Sequence, residues 1–137
     1  ANWGVDNRTC AIRVVPGSEK SHRLEYRIAA ADGNPYLALA ASIACGLYGI
    51  EHQLELQNPV KGNAYDLDTS TENKVLPDSL DKAATVFTNS SIMRELFGDS
   101  WVDHFFLTRR WEAQCYEQQK KSDLDWHWML DRYFEII

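Results

Sequence analysis

The hydrophobic positions of this chain recur with a period of two near its start and of three to four afterwards. Thr9 to Val15 is rich in β-formers, and His22 to Ile28 alternates cleanly between apolar and polar residues, the mark of half-buried strands. Pro16-Gly17-Ser18-Glu19-Lys20 lies between them and is turn chemistry, so an antiparallel hairpin with a longish loop is predicted. Asp32-Gly33-Asn34-Pro35 then supplies a stop and a helix start. Asn34 can cap the helix, and Pro35 suits its first position because the missing N–H would be unpaired there anyway. Tyr36, Leu39, Ala40, Ile43, Leu47, Ile50 and Leu54 form one apolar stripe at helical spacing, and Ala38, Ala41, Ala44 and Gly46 keep its flanks small enough for close packing.

Residues 57–78 are polar and turn-rich with no sustained period; a loop of that length is usually functional or leans on something else. Further helices are predicted after Pro77-Asp78-Ser79, through Leu80, Ala83, Ala84 and Phe87; from Ser91 to Phe97, stopped by Gly98; from Trp101 to about Lys121; and from Leu124 to Ile137. The expected class is α+β: a short antiparallel β element followed by four to five helices. A two-stranded hairpin is too little sheet to stand alone, so it is expected to complete a larger sheet begun upstream. The chain divides into a hairpin (1–33), a packed helix (34–56), a loop (57–78) and a helical region (79–137).

Composition narrows the class without naming a function. With 137 residues, 45% hydrophobic and 25% charged, the chain is the size of one ordinary domain and is not disordered by composition. No apolar run approaches the roughly 20 residues that span a bilayer, so no membrane partner is expected. The opening Ala1-Asn2-Trp3, without a methionine, predicts an excised piece or a processed product. Cys10, Cys45 and Cys115 are odd in number and far apart, which points to reduced thiols in a cytoplasmic protein. The four histidines show no metal-site spacing. The net charge of −6 is uneven: residues 1–35 hold five basic and four acidic side chains, residues 36–137 nine and sixteen. No basic face exists to follow a nucleic-acid backbone, and anion chemistry is expected only near the N-terminus.

The stretch His22-Arg23-Leu24-Glu25-Tyr26-Arg27-Ile28 carries the most specific signal. Alternation puts Leu24, Tyr26 and Ile28 on one face and Arg23, Glu25 and Arg27 on the other, with neighbours in a row roughly 7 Å apart. A carboxylate between two guanidiniums suits a site that holds a divalent metal and a polyphosphate together, since carboxylate oxygen is a hard ligand and Arg forks match phosphate. The alternative is a solvated face whose charges pair with one another. Arg8 and Arg13 have opposite parity in a continuous strand, so both reach one site only if Arg8 lies in the loop before it.

Asn7-Arg8-Thr9-Cys10-Ala11-Ile12-Arg13-Val14, then Arg23-Leu24-Glu25-Tyr26-Arg27, then Asn34-Pro35-Tyr36-Leu37-Ala38 resemble three consecutive motifs of the glutamine synthetase catalytic domain, in order and closely spaced. The resemblance in motifs covers residues 2–56, and the helical remainder is compatible with the family's C-terminal region. It implies an ATP-dependent ligase that joins the γ-carboxylate of glutamate to an amine through γ-glutamyl phosphate. Carried across, Glu25 is expected to bind the Mg²⁺ or Mn²⁺ that bridges the ATP phosphates. Arg13 and Arg23 are expected at the nucleotide, Arg8 at the transferring phosphoryl group, and Arg27 at the glutamate carboxylate or acyl phosphate.

The family's other metal ligands, its flap glutamate, its amine pocket and its N-terminal domain have no counterpart in these residues. The resemblance therefore implies that this chain is inactive alone and works with an upstream part of the same polypeptide, in a homo-oligomeric ring. Gly98-Asp99-Ser100-Trp101-Val102 and Asp125-Trp126-His127-Trp128 resemble γ-glutamylpolyamine synthetase-like members more than ammonia-using ones. Tyr65 aligns loosely with a loop that is adenylylated in some bacterial relatives, and is read here as an ordinary loop tyrosine. The aromatic residues Trp101, Phe105, Trp111, Trp126, Trp128, Tyr133 and Phe134 are read as core or interface packing, and Arg109 and Arg110, beside Glu112 on the long helix, as solvated. The competing expectations are a catalytically silent structural or regulatory relative, and a stand-alone anion-binding module.

Overall fold

Three short strands open the computed structural model, which describes residues 2–31, 33–67, 75–119 and 126–134. They are β1 (Trp3–Val5), β2 (Ile12–Val15) and β3 (Arg23–Tyr26), in the order β1-β2-β3. The hairpin is present: β2 and β3 run antiparallel, with Ile12 opposite Tyr26, Arg13 opposite Glu25 and Val15 opposite Arg23. The strands are shorter than the alternation predicts, because residues 8 to 10 turn instead of extending. The strand not anticipated is β1, which pairs parallel to β2, making the sheet mixed. Parallel neighbours usually need a crossover of about a dozen residues, whereas here the chain doubles back within residues 6–11. Asp6 makes the reversal at φ +50, a conformation short polar side chains tolerate. Its N–H donates to the Val14 carbonyl at 2.8 Å and extends the pairing.

Helix α1 (Pro35–Glu51) starts as expected, with the Asn34 side chain accepting from the N–H groups of Tyr36 and Leu37 and Pro35 in the first turn. It ends three residues before Leu54, at a His52 cap. None of its residues is buried: Leu39 and Ile43 are each 61% exposed and Ile50 75%. The predicted packing face thus has no covering element among the described residues, and Leu24 and Tyr26 on β3 are likewise exposed.

The segment after α1 is not a free loop where it is described. The Trp3 indole donates to the Gln57 carbonyl at 2.7 Å, and the Val60 N–H donates to the Trp3 carbonyl at 2.8 Å. A 3-10 turn follows at Ala64–Asp66, capped by the Asn63 side chain. Residues 68–74, the rest of the predicted loop, lie outside the described residues.

The chain forms two units, Ala1–Val75 and Leu76–Ile137. The second holds α2 (Leu80–Thr88), α3 (Ser91–Phe97), α4 (Asp99–Gln119) and α5 (Trp126–Tyr133). Ser79 and Ser90 cap α2 and α3, and Gly98 stops α3 at φ +79, ψ 150, a combination open essentially to glycine. The expected ends at Lys121, Leu124 and Ile137 lie outside the described residues. Val102 is fully buried beside Ala84. Around them Phe87, Trp101 and Phe105 interlock, with Trp101 stacked on Phe105 at 5.0 Å and Phe87 edge-on to Phe105 at 5.5 Å; Phe87 and Phe105 are half-buried and Trp101 stays exposed at the edge of the cluster.

Arg109 departs from the solvated reading: it is half-buried, its guanidinium 5.3 Å from the centre of the Phe105 ring. Glu112 also lies on α4. It is buried and holds α5 to α4. Arg132 donates to its two oxygens at 2.9 and 3.2 Å, and the Tyr133 hydroxyl donates to it as well. Those partners lower the Glu112 carboxyl below its usual range, Arg132 most of all. Burial, then the hydrogen bond to Glu112, pushes Tyr133 up to about 12.

Candidate active site

Arg13 is the centre of the charged cluster. Strand register sets it across from Glu25 on β3 and beside Gly4 on β1. Its Nη1 donates to Glu25 Oε2 at 3.0 Å, and its Nε and Nη2 donate to Asp6 Oδ1, the former at 3.1 Å. Held between two carboxylates, the Arg13 side chain is only 12% exposed. These contacts raise the Arg13 guanidinium, Asp6 contributing most. The same hydrogen bonds hold the Asp6 and Glu25 carboxyls below their usual range.

Glu25 collects the other two strand arginines. Arg23 donates to its Oε1 at 3.2 Å, and Arg27 Nη1 stands 3.8 Å from Oε2. The Arg27 N–H donates to the Ala11 carbonyl at 2.9 Å, so the pairing runs one residue past β3. Arg23, Glu25 and Arg27 therefore share one face, as the alternation predicts.

Arg8 lies in the turn before β2, the position in which it and Arg13 can converge. Both line one cleft of about 710 Å³, with Asp6, Asn7 and the segment from Pro59 to Gly62, a size typical of small-molecule sites. Arg8 makes no ion pair or hydrogen bond among the described residues and acts on Asp6 only at longer range. Arg23, Glu25 and Arg27 do not line this cleft among the described residues and connect to it through Arg13.

The far wall is built by two side chains to which sequence reasoning attached no role. Asn7 Nδ2 donates to the Gly62 carbonyl at 2.8 Å and, more weakly, to that of Val60 at 3.4 Å. Its Oδ1 accepts from the Thr9 N–H at 3.0 Å and hydroxyl at 2.7 Å. Thr9 Oγ1 in turn accepts from the Ala64 N–H at 2.8 Å. The residues flanking Arg8 thus tie the turn to a segment more than fifty positions later. Gly4 permits that approach: a Cβ there would stand 2.9 Å from Asn7 Cβ and 3.0 Å from the Val60 carbonyl oxygen. Asn7 and Thr9 stand in the first motif but were given no role there, and Asp6 and Lys61 left no linear signal, because β1 was not anticipated and Lys61 is brought in only by this long-range docking.

A divalent metal needs about six oxygen ligands, and among the described residues no group of three His, Cys, Asp or Glu side chains could hold one. Glu25, with oxygens directed at guanidiniums, fits as a single ligand and not as a site. The charges of the strand face pair with one another, and they do so beside a cleft lined by two arginines.

A family model for the glutamine synthetase catalytic domain matches residues 1–129. The chain is 44% identical over 136 residues to type-1 glutamine synthetase 2 of Dictyostelium discoideum, covering 98% of this chain and 25% of that protein. It is 39% identical over 137 residues to glutamate–isopropylamine ligase of a Pseudomonas species, covering 100% and 28%. It is 42% identical over 133 residues to gamma-glutamylethanolamide synthetase of Streptomyces coelicolor, covering 97% and 27%. The chain thus spans about a quarter of the length of these relatives. On this match the chain belongs to the glutamine synthetase family, within its catalytic domain.

Proposed function

We propose that the protein carrying this chain is an ATP-dependent ligase that joins the γ-carboxylate of glutamate to an amine. The observation that carries this reading is the arrangement around Arg13. It shares a cleft with Arg8 and is locked to Glu25, which Arg23 and Arg27 flank. Such an array neutralises and aligns phosphate oxygens, which is most of what phosphoryl transfer asks of a protein.

A γ-carboxylate oxygen of glutamate attacks the terminal phosphorus of ATP, the bond to ADP breaks, and γ-glutamyl phosphate forms. The amine nitrogen then attacks the carbonyl carbon, phosphate departs with its electron pair, and the nitrogen loses a proton. Arg8 faces the transferring phosphoryl group. Arg13 and Arg23 hold nucleotide phosphates, and Arg27 orients the glutamate carboxylate or the acyl phosphate. Glu25 would contribute one oxygen ligand to Mg²⁺ or Mn²⁺, which would supply positive charge against that of the polyphosphate.

We assign an organic amine as acceptor, of the γ-glutamylpolyamine synthetase-like type, because two of the similar proteins are named for isopropylamine and ethanolamide chemistry. The exposed apolar faces of α1 and β3 support an upstream part of the same polypeptide as their cover; assembly as a homo-oligomeric ring in the cytoplasm completes the proposal. Among the described residues no helix is long and apolar enough to cross a membrane. This chain alone is inactive, since it supplies one metal ligand.

Phosphate release by the intact protein with Mg-ATP, glutamate and a panel of amines tests the reading. Release that depends on one class of amine supports it. Silence across the panel, from a folded and assembled protein, moves the assignment to a catalytically silent relative.

A further inference from the structure

We propose that Lys61 is a further phosphate-contacting residue of the arginine cleft, delivered to it by the Asn7–Thr9 clamp. Lys61 is exposed and lines the cleft together with Arg8 and Arg13. It makes no ion pair or hydrogen bond among the described residues. Arg13, by contrast, already donates to Asp6 and Glu25. The cations of this cleft without a carboxylate partner among the described residues are therefore Arg8 and Lys61, one from each wall.

The position of Lys61 is determined by the backbone on both sides of it. The Val60 N–H is fixed to the Trp3 carbonyl, the Gly62 carbonyl accepts from Asn7, and Gly62 turns the chain immediately afterwards at φ +83. Asn7 and Thr9 bracket Arg8, so one set of hydrogen bonds registers both cations at once. An ammonium is a compact charge without a preferred plane, and it complements the forked guanidinium at a polyphosphate, where several oxygens lie at different angles. The ligand class is a nucleoside polyphosphate; its identity as ATP rests on the ligase reading above.

The test is calorimetric binding of ATP, ADP, AMP and adenosine, in Mg²⁺, to the intact protein and to its Lys61→Met and Lys61→Arg variants. Lys61→Met is expected to weaken ATP binding about ten- to a hundredfold, the equivalent of one charge-assisted contact. Lys61→Arg should stay within about twofold, because charge is kept at the expense of geometry. Adenosine should bind all three proteins equally, and the nucleotide at which the loss first appears identifies the phosphate contacted. Equal ATP affinity in Lys61→Met and the parent protein overturns the proposal, as does an equal loss for adenosine, which reports a disturbed fold. Binding needs no amine and no turnover, so the two readings separate. Lys61-dependent ATP binding without amine-dependent phosphate release upholds this site and overturns the ligase. Turnover with unchanged ATP affinity in Lys61→Met does the reverse.

Discussion

Arg13 stands opposite Glu25 across β2 and β3, and its guanidinium donates to the Glu25 carboxylate at 3.0 Å while also gripping Asp6. The pair joins the cleft that Arg8 lines to the strand face that carries Arg23 and Arg27. It orients a guanidinium before any ligand arrives, which reduces the reorganisation needed when charge develops.

Replacing Glu25 by Gln keeps the shape of this junction and removes its charge. We expect turnover by the intact protein to fall about a hundredfold or more, with the thermal midpoint little changed because Asp6 still partners Arg13. Steady-state phosphate release and a melting curve on the same preparation check both halves. Full activity in Glu25→Gln would remove Glu25 from the machinery.

The pH dependence of stability has two arms in the helical unit. The Glu112 carboxyl is lowered from an ordinary 4.5 by Arg132, so its contribution is complete above that value and is lost as pH falls through the lower, folded one. Tyr133 is raised from 10 to about 12, so its contribution is complete below 10 and is lost as pH climbs toward 12. Urea unfolding from pH 3 to 11 should show both losses, and Tyr133→Phe should abolish the alkaline one. An alkaline arm unchanged in Tyr133→Phe would place its cause elsewhere.

Asn7→Ala removes the clamp between the Arg8 turn and residues 60–64. The expected cost is about 1–3 kcal/mol, the penalty for stranding part-buried carbonyl and hydroxyl partners. Hydrogen exchange localises it: the Val60 and Ala64 amides, which donate to the Trp3 carbonyl and Thr9 Oγ1, should exchange faster, while the amides of α4 should not. Uniform acceleration would instead indicate global destabilisation.

Gly98→Ala isolates a backbone effect. A Cβ there would meet nothing within 4 Å, so steric crowding adds nothing and the conformation at φ +79, ψ 150 sets the cost. Destabilisation of about 1–3 kcal/mol is expected, readable as a shift in the denaturant midpoint at constant slope.

Much of the fold was legible where a local rule decides it. Asn34-Pro35 started a helix, Ser79 and Gly98 bounded others, and alternation put Arg23, Glu25 and Arg27 on one face. The parity of Arg8 and Arg13 even stated the condition, a loop position for Arg8, under which they could meet. Long-range pairing remained hidden. β1 is three residues long and reaches β2 in parallel through a tight turn, against the usual length of such connections. Lys61 enters the cleft only through hydrogen bonds to residues more than fifty positions earlier. The ion pair of Glu112 left no sequence signal because its partners, Arg132 and Tyr133, lie twenty and twenty-one residues on. The stripe on α1 was correctly apolar, but periodicity says which side of a helix wants covering and nothing about what covers it.

On the proposed route glutamate is activated as an acyl phosphate beside Arg8 and Arg13. Glutamate labelled with ¹⁸O in its γ-carboxylate tests it directly, with the intact protein, Mg-ATP and the amine that supports turnover. Attack of the labelled oxygen on phosphorus, followed by amine displacement, predicts one ¹⁸O in each released phosphate, read by mass spectrometry. Unlabelled phosphate would mean that ATP is cleaved without joining to the carboxylate, and would contradict the account.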